Sequence, residues 1–108
     1  MKLEELLQYD DIVIQCHDNP DADAVASGWA LLWYLEKNKK QARLIYSGAS
    51  PMTKANMLLM CRKLEIPIEY AEALEERPKL LICVDGRYGG GNVRRLEAET
   101  CAVIDHHP

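Results

Sequence analysis

The sequence has 108 residues, 48% of them hydrophobic and 28% charged, which is typical of one globular domain with a modest core and too short for two. Its 13 basic and 17 acidic residues give a formal net charge of −4, which argues against a broad basic surface for nucleic acid. The N-terminus has no signal-peptide core, and no apolar stretch is long enough to span a bilayer. We therefore expect a cytoplasmic protein without a membrane partner.

The first half of the chain alternates between helical and strand-like segments. Leucines at helical spacing predict a short helix over 2–8, and the apolar run 11–16 predicts a buried first strand. A polar loop follows, and Asp23 is a suitable N-cap for a helix from about 24 to 37. Because that helix is apolar almost all round, we expect it to be deeply packed. Residues 42–46 predict a second strand.

The second half continues the same alternation. Apolar residues at helical spacing over 53–64 predict a helix with a core-facing stripe of Met57, Leu58, Met60, Cys61 and Leu64. Residues 66–70 predict a short edge strand, because the proline within them cannot donate to a ladder. The apolar run 79–84 predicts a buried strand, and a helix near 92–99 and a last strand over 100–104 follow. Strands alternating with helices predict an α/β fold, with a parallel, Rossmann-like sheet of about four to five strands and helices on both faces.

The four cysteines lie far apart in the sequence and form no Cys-x-x-Cys pair. Three of them fall within predicted strands, where a free cysteine behaves as a small buried hydrophobic residue. We therefore interpret all four as structural rather than as disulfide partners or zinc ligands: Cys16, Cys61, Cys83 and Cys101.

Residues with metal-binding side chains follow three of the predicted strands. The segment His17-Asp18-Asn19-Pro20-Asp21-Ala22-Asp23 comes after the first strand, Asp85 after residues 79–84, and Asp105-His106-His107 after the last strand. Ligands of parallel α/β sheets bind outside the carboxyl ends of the strands. Carboxylate oxygens and imidazole nitrogens together suit Mn²⁺, Fe²⁺, Co²⁺ or Zn²⁺. The pattern indicates a metal site at this edge of the sheet.

Each of these residues also has an ordinary structural interpretation. Asp23 can cap a helix, Asp85 can simply end a strand, and the glycines at 89–91 fit a flexible turn better than a phosphate cradle. However, carboxylates two residues apart, as at Asp21 and Asp23, repel each other unless a cation lies between them. Asp85 has two oxygens that can bridge two metal ions. Adjacent His106 and His107 point differently, so one is the better metal ligand and the other is free to face substrate.

Three groups of residues together resemble the motifs of the DHH phosphoesterase superfamily. Asp85 is similar to motif II, and Asp105-His106-His107 is similar to motif III. Motif I is matched by His17, Pro20, Asp21, Asp23, Ala24 and Ser27. The three motifs occur in the family's order, each after a predicted strand, and the resemblance covers residues 11–108.

The resemblance implies a two-metal hydrolase that usually uses Mn²⁺, with Co²⁺, Mg²⁺ or Fe²⁺ as alternatives. It implies that His17, Asp21 and Asp85 hold one ion and that Asp23, Asp85 and His106 hold the other. His107 would contact the scissile phosphate, Asp105 would orient an imidazole, and a water with a lowered pKa would be the nucleophile. The implied substrates are short single-stranded oligonucleotides, nucleoside bisphosphates or cyclic dinucleotides, and oligomerisation is left open.

The sequence also departs from the family pattern. The fourth-motif Asp and the C-terminal DHHA1-type domain have no counterpart. We therefore expect residues 1–108 to be the N-terminal part of a DHH phosphoesterase domain, inactive in isolation. A sibling interpretation is a family II-like inorganic pyrophosphatase or an exopolyphosphatase. Its motif I usually has a Lys after the His, where this chain has Asp18.

A non-catalytic, receiver-like signalling module is the alternative from another class. The length and the alternation of strands and helices suit it. However, the acidic pair Asp10-Asp11 precedes the first strand instead of following it, and the Asp-His-His run has no role there.

Overall fold

A computed structural model describes residues 3–16, 22–47, 55–71, 78–84, 98 and 100–104. These residues form three helices and five strands. Each predicted strand is present, and residues 42–46 and 100–104 have the predicted bounds. The elements in chain order are α1 (Leu3–Leu6), β1 (Ile12–Cys16), α2 (Ala22–Lys37), β2 (Ala42–Tyr46), α3 (Ala55–Lys63), β3 (Ile68–Tyr70), β4 (Leu80–Val84) and β5 (Thr100–Ile104).

The five strands form one sheet in the order β3-β2-β1-β4-β5. All four neighbouring pairs are parallel, which confirms the predicted α/β fold with a Rossmann-like sheet. Receiver domains have the order 2-1-3-4-5, whereas the order here is the 3-2-1-4-5 of nucleotide-binding folds. The receiver-like alternative is therefore wrong.

The central strands β1 and β4 are buried on both faces, as strands of parallel sheets usually are. Alternate strand residues, such as Ile14 and Ile82, join one core cluster with side chains from α1, α2 and α3. The intervening residues Val13, Ile45, Leu81 and Cys83 form a second cluster on the opposite face, against which Ala71 and Ala98 pack. The period of two in these strands thus supplies both clusters.

Helix α2 covers the centre of the sheet and contacts β1, β2 and β4. Its buried residues recur at helical spacing along one side: Ala24, Val25, Gly28, Leu31, Leu32 and Leu35. The expectation of deep packing all round is wrong, because Trp33 on the other side is 59% exposed. The ammonium of Lys37 lies 4.6 Å from the centre of that ring, and a cation held there is stabilised by the π face.

Helix α3 buries less of the predicted stripe than expected. Met57 is buried, and Met60 and Cys61 are partly buried against the main core, but Leu58 is 46% exposed and Leu64 is 50% exposed. Leu58 is one position away from Met57 and therefore points about 100° from the stripe. Leu64 lies beyond the last helical residue, Lys63, so the helical period no longer directs its side chain to the core.

Several elements begin or end one or two residues from their predicted bounds. Helix α2, for example, begins at Ala22 and not near residue 24, so the predicted N-cap, Asp23, lies in its first turn. The helix predicted near 92–99 lies outside the described residues except for Ala98, which is not helical. Strand β3 is a short edge strand, as predicted, but it begins at Ile68, two residues after the predicted start. None of the helices in the described ranges is long and apolar enough to cross a membrane.

Candidate functional site

The carboxyl ends of three adjacent strands are aligned at one edge of the sheet. Cys16, the last residue of β1, pairs with Val84 at the end of β4. Val84 in turn pairs with Ile104 at the end of β5. Neighbouring strands are ~4.8 Å apart, so the ends of β1 and β5 lie on the order of 10 Å apart. Residues that directly follow these ends therefore start from one small region.

The predicted site residues belong to the segments that follow these aligned ends. His17, Asp85 and Asp105 come directly after Cys16, Val84 and Ile104 in the sequence. All three lie outside the described residues, as do Asp21, His106 and His107, and only the backbone of Asp23 is described, in the first turn of α2. Within the described ranges there is no group of three or more metal-binding side chains. The convergence of the site residues thus stays a prediction.

The chain changes direction across the sheet at β1. From β1 it proceeds outward to β2 and β3, and it then returns to the other side of β1 to form β4 and β5. Right-handed crossovers place the connections of the two halves on opposite faces, which opens a crevice between the two central strands. The strand order therefore predicts a crevice between β1 and β4, at the edge where motif I and Asp85 follow in the sequence.

A contact from Cys16 connects the two residues that flank the segment 17–23. Its thiol is fully buried and donates to the carbonyl oxygen of Ala24, with the sulfur 3.5 Å from the oxygen. Residues 17–23 lie between these two points. The contact joins the end of β1 to the first turn of α2, so both residues that flank the segment 17–23 belong to the core.

Helix α2 approaches the sheet closely at Gly28. A Cβ atom on Gly28 would lie 2.6 Å from Cδ1 of Leu44 and 3.2 Å from the sulfur of Cys16. It would also lie 3.7 Å from Cγ2 of Val84. Because glycine has no side chain, the helix lies directly on the last residues of β1 and β4, and a larger residue here would require Leu44 to shift. Sequence reasoning did not identify this role, although a glycine inside a long apolar helix was a usable signal.

Two buried polar residues near the same edge also escaped the sequence analysis. Gln15 is fully buried within β1 and pairs in register with Ile45 and Cys83. Ser47, directly after β2, is equally buried, and its hydroxyl donates to the carbonyl of Ala71 after β3. A polar residue inside an apolar strand is a recognisable signal, because burial without hydrogen bonds is costly.

Two described ion pairs lie away from the carboxyl ends of β1 and β4. Lys40 approaches Asp10 at 3.4 Å, and these residues precede β2 and β1 at the amino edge of the sheet. Arg43 approaches Glu69 at 3.4 Å across β2 and β3, with both side chains more than half exposed. Exposed pairs of this kind contribute little to stability, so we assign neither pair a role at the candidate site.

The model of the DHH family, N-terminal domain, matches residues 11–108 of the chain. The matched range begins just before β1 and contains every predicted metal ligand. No curated protein and no solved structure matches the chain significantly. Since the model of this N-terminal domain covers nearly the whole sequence, the chain belongs to the DHH family.

Proposed function

We propose that the full-length protein is a two-metal phosphoesterase that uses Mn²⁺ to hydrolyse small phosphorylated compounds. The DHH family is one of metal-dependent phosphoesterase-type hydrolases, which supports the reaction class. The substrate class we propose comprises short single-stranded oligonucleotides, nucleoside bisphosphates and cyclic dinucleotides. Each offers a phosphoester to a crevice at a strand edge. The proposed cellular location is the cytoplasm.

The observation that carries the proposal is the alignment of β1, β4 and β5 at their carboxyl ends. A carboxylate-bridged pair of metal ions has a separation of ~3.5–4 Å, which is less than one strand spacing of ~4.8 Å. Ligands that start from three neighbouring strand ends are therefore suitably distributed around two ions. The central strand of the three is β4, and the residue after it is the proposed bridging ligand, Asp85.

The chemistry of the donor set fits such ions. The proposed ligands His17, Asp21, Asp23, Asp85 and His106 supply two imidazoles and three carboxylates, a mixture that suits Mn²⁺ and its first-row neighbours. Three carboxylates carry three negative charges, against four positive charges on two divalent ions. The site would thus keep a positive charge for a phosphate, which a chain with a net charge of −4 otherwise lacks.

The chain's own side chains have separate tasks in this proposal. His107 contacts the phosphate and holds it at the strand edge, while Asp105 accepts a hydrogen bond from an imidazole N–H and fixes its orientation. When bound, the two ions lower the pKa of water and stabilise the charge that develops on the phosphate oxygens. The buried side of α2 packs closely on the sheet around Gly28 and thereby excludes water from the face that it covers.

The test compares Asp85→Asn with Asp10→Asn in the full-length protein. Both substitutions remove one carboxylate, but Asp10 lies before β1, at the opposite edge of the sheet. We expect Asp85→Asn to lower the rate of Mn²⁺-dependent hydrolysis by at least about 100-fold. Removing a residue that only hydrogen-bonds to a metal ligand already lowers metal affinity or activity by ~10–100-fold, and Asp85 is proposed to be a ligand itself. Asp10→Asn should leave hydrolysis unchanged. Near-normal turnover by Asp85→Asn would refute the two-metal proposal.

The substrate class is tested separately with the same protein. Initial rates are measured on a dinucleotide, a nucleoside 3′,5′-bisphosphate, a cyclic dinucleotide and inorganic pyrophosphate, each with Mn²⁺, Co²⁺, Mg²⁺ or Fe²⁺. We expect the highest kcat/KM for a nucleotide substrate with Mn²⁺. A preference for pyrophosphate would replace the proposed substrate class with that of the pyrophosphatase branch.

A further inference from the structure

We infer that Cys16 and Gly28 are positioning residues for the metal ligands of motif I, an inference that rests on the proposed function. Neither side chain is a ligand. Cys16 lies at the end of β1, and Gly28 lies in α2, where a Cβ atom would come 3.2 Å from the sulfur of Cys16. The pair joins the strand and the helix that flank the ligand-bearing segment 17–23.

The geometry at Cys16 restrains both ends of that segment. One end, residue 17, is bonded directly to Cys16, and the other end, residue 23, is bonded to Ala24, whose carbonyl accepts the thiol hydrogen. In a regular helix the same carbonyl accepts the N–H of the residue four positions later, which is Gly28. The end of β1 at Cys16, the first turn of α2 at Ala24 and the close approach at Gly28 are therefore connected to one another next to the segment 17–23.

Packing of the Cys16 sulfur contributes more than its hydrogen bond to holding α2 against β1, because S–H donors are weak. The sulfur fills the space between β1 and α2 that the missing side chain of Gly28 leaves. Cys16 is 0% exposed, so no water is available to replace the sulfur if it is removed. Loss of the sulfur lets the first turns of α2 move relative to β1. Metal sites tolerate only ~0.5 Å of ligand displacement, so such a movement affects metal binding before it affects folding.

Cys83 provides the matched control. Like Cys16, it is a fully buried thiol outside any disulfide; it lies one position before the end of the central strand β4 and precedes a predicted ligand, Asp85, by two residues. Its side chain belongs to the cluster on the opposite face of the sheet, away from α2. Replacing either cysteine by alanine removes one buried sulfur atom. Only Cys16→Ala, however, removes a contact with α2.

The experiment measures Mn²⁺ affinity by calorimetry and thermal unfolding without metal, on full-length wild type, Cys16→Ala, Cys16→Ser and Cys83→Ala. Both alanine variants should lower the unfolding temperature by similar amounts. Only Cys16→Ala should weaken Mn²⁺ binding, by about 10-fold, the lower end of the range for residues that support ligands. Cys16→Ser should recover most of the affinity, because its hydroxyl oxygen fills most of the space of the sulfur and can donate to the carbonyl of Ala24.

The outcomes separate this inference from the proposed function. A wild-type protein that binds no Mn²⁺ would overturn the proposed function together with the inference. If wild type binds Mn²⁺ and Cys16→Ala binds it equally well, only the inference is overturned. Equal weakening by Cys16→Ala and Cys83→Ala would also overturn it, since the effect would then come from core loss alone. Should Cys16→Ala not fold, Gly28→Ala takes its place, because its added Cβ would lie 3.2 Å from the sulfur of Cys16 and would displace the first turns of α2. Weaker Mn²⁺ binding by Gly28→Ala than by Cys83→Ala supports the inference, and unchanged binding by Gly28→Ala overturns it.

Discussion

Replacing Gly28 by alanine tests the closest contact between helix and sheet. The added Cβ would lie 2.6 Å from Cδ1 of Leu44, whereas non-bonded carbons are optimally ~3.5–4.0 Å apart. Leu44 is 1% exposed, so its side chain has no free space to enter. Overpacking of a core costs about 1–3 kcal/mol, while alanine gains about 1 kcal/mol over glycine inside a helix. Gly28→Ala should therefore lower the free energy of unfolding by about 0–2 kcal/mol.

A second substitution reverses the sign of this effect. Leu44→Val removes the atom that the new Cβ meets and by itself costs about 1 kcal/mol, the value of one buried methylene. In that background the closest remaining neighbour of the added methyl group is the sulfur of Cys16 at 3.2 Å, which a shift of a few tenths of an ångström relieves, so Gly28→Ala should stabilise the chain by up to about 1 kcal/mol through helix propensity. The coupling energy between the two sites should then be about 1–3 kcal/mol, as for residues in direct contact.

Urea unfolding of the four variants, followed by tryptophan fluorescence, measures this coupling. Both tryptophans of the sequence, Trp29 and Trp33, lie on α2, so the signal reports the helix that is being displaced. The slope of free energy against urea should stay constant, which shows that the unfolded state is unchanged. Additivity within about 0.5 kcal/mol, the behaviour of independent sites, would refute close packing at Gly28.

Three further predictions concern other parts of the chain. Lys39 and Glu65 follow α2 and α3 and have positive φ angles of 63° and 54°. Lys39→Gly should raise the free energy of unfolding by about 0.5–1 kcal/mol in the same urea assay, because the relief of backbone strain outweighs the greater entropy of glycine in the unfolded state. Arg62→Gly, inside α3, should lower it. Burial raises the pKa of the Cys61 thiol, and only the thiolate reacts. In the native chain, the rate at which iodoacetamide modifies Cys61 should reach half its maximum at a higher pH than in an unfolded peptide. Buried Cys16 and Cys83 should show no modification in mass spectra. Their modification under native conditions would contradict the structure. Residues 1–108 alone should bind Mn²⁺ about 10–100-fold more weakly than the full-length protein in calorimetry, and equal affinities would show that these residues suffice.

The sequence predicted the strands well because each strand has a strong local signal. Residues 80–84 are all apolar and all buried, and this uninterrupted run is what a strand covered on both faces requires. Cys16 and Cys83 were interpreted correctly as structural for the same reason, since they lie in such runs, are buried and form no disulfide. The positions of the predicted ligands relative to strand ends are also local, because each ligand follows its strand within a few residues.

The predictions for the helices were less accurate, because helix packing depends on distant residues. Composition showed that α2 is apolar almost all round, but a single sheet surface can bury only one side of a helix. Trp33 therefore stays exposed beside Lys37. The contact of Gly28 with Leu44 and Cys16 joins residues 16 and 12 positions away, and no local pattern specifies which strand side chains a glycine will meet.

The order of the strands is the part of the fold that most affects the site, and alternation along the chain does not determine it. Outward winding from β1 to β3 could have continued, and β4 would then have been placed beyond β3, far from motif I. Instead the chain returns, and β4 lies beside β1 with Val84 opposite Cys16. Only this reversal brings the strand that precedes Asp85 next to the strand that precedes His17. The three motifs are therefore an indirect signal of strand order: residues predicted to share two metal ions require their strands to be neighbours, and the order in this sheet meets that requirement.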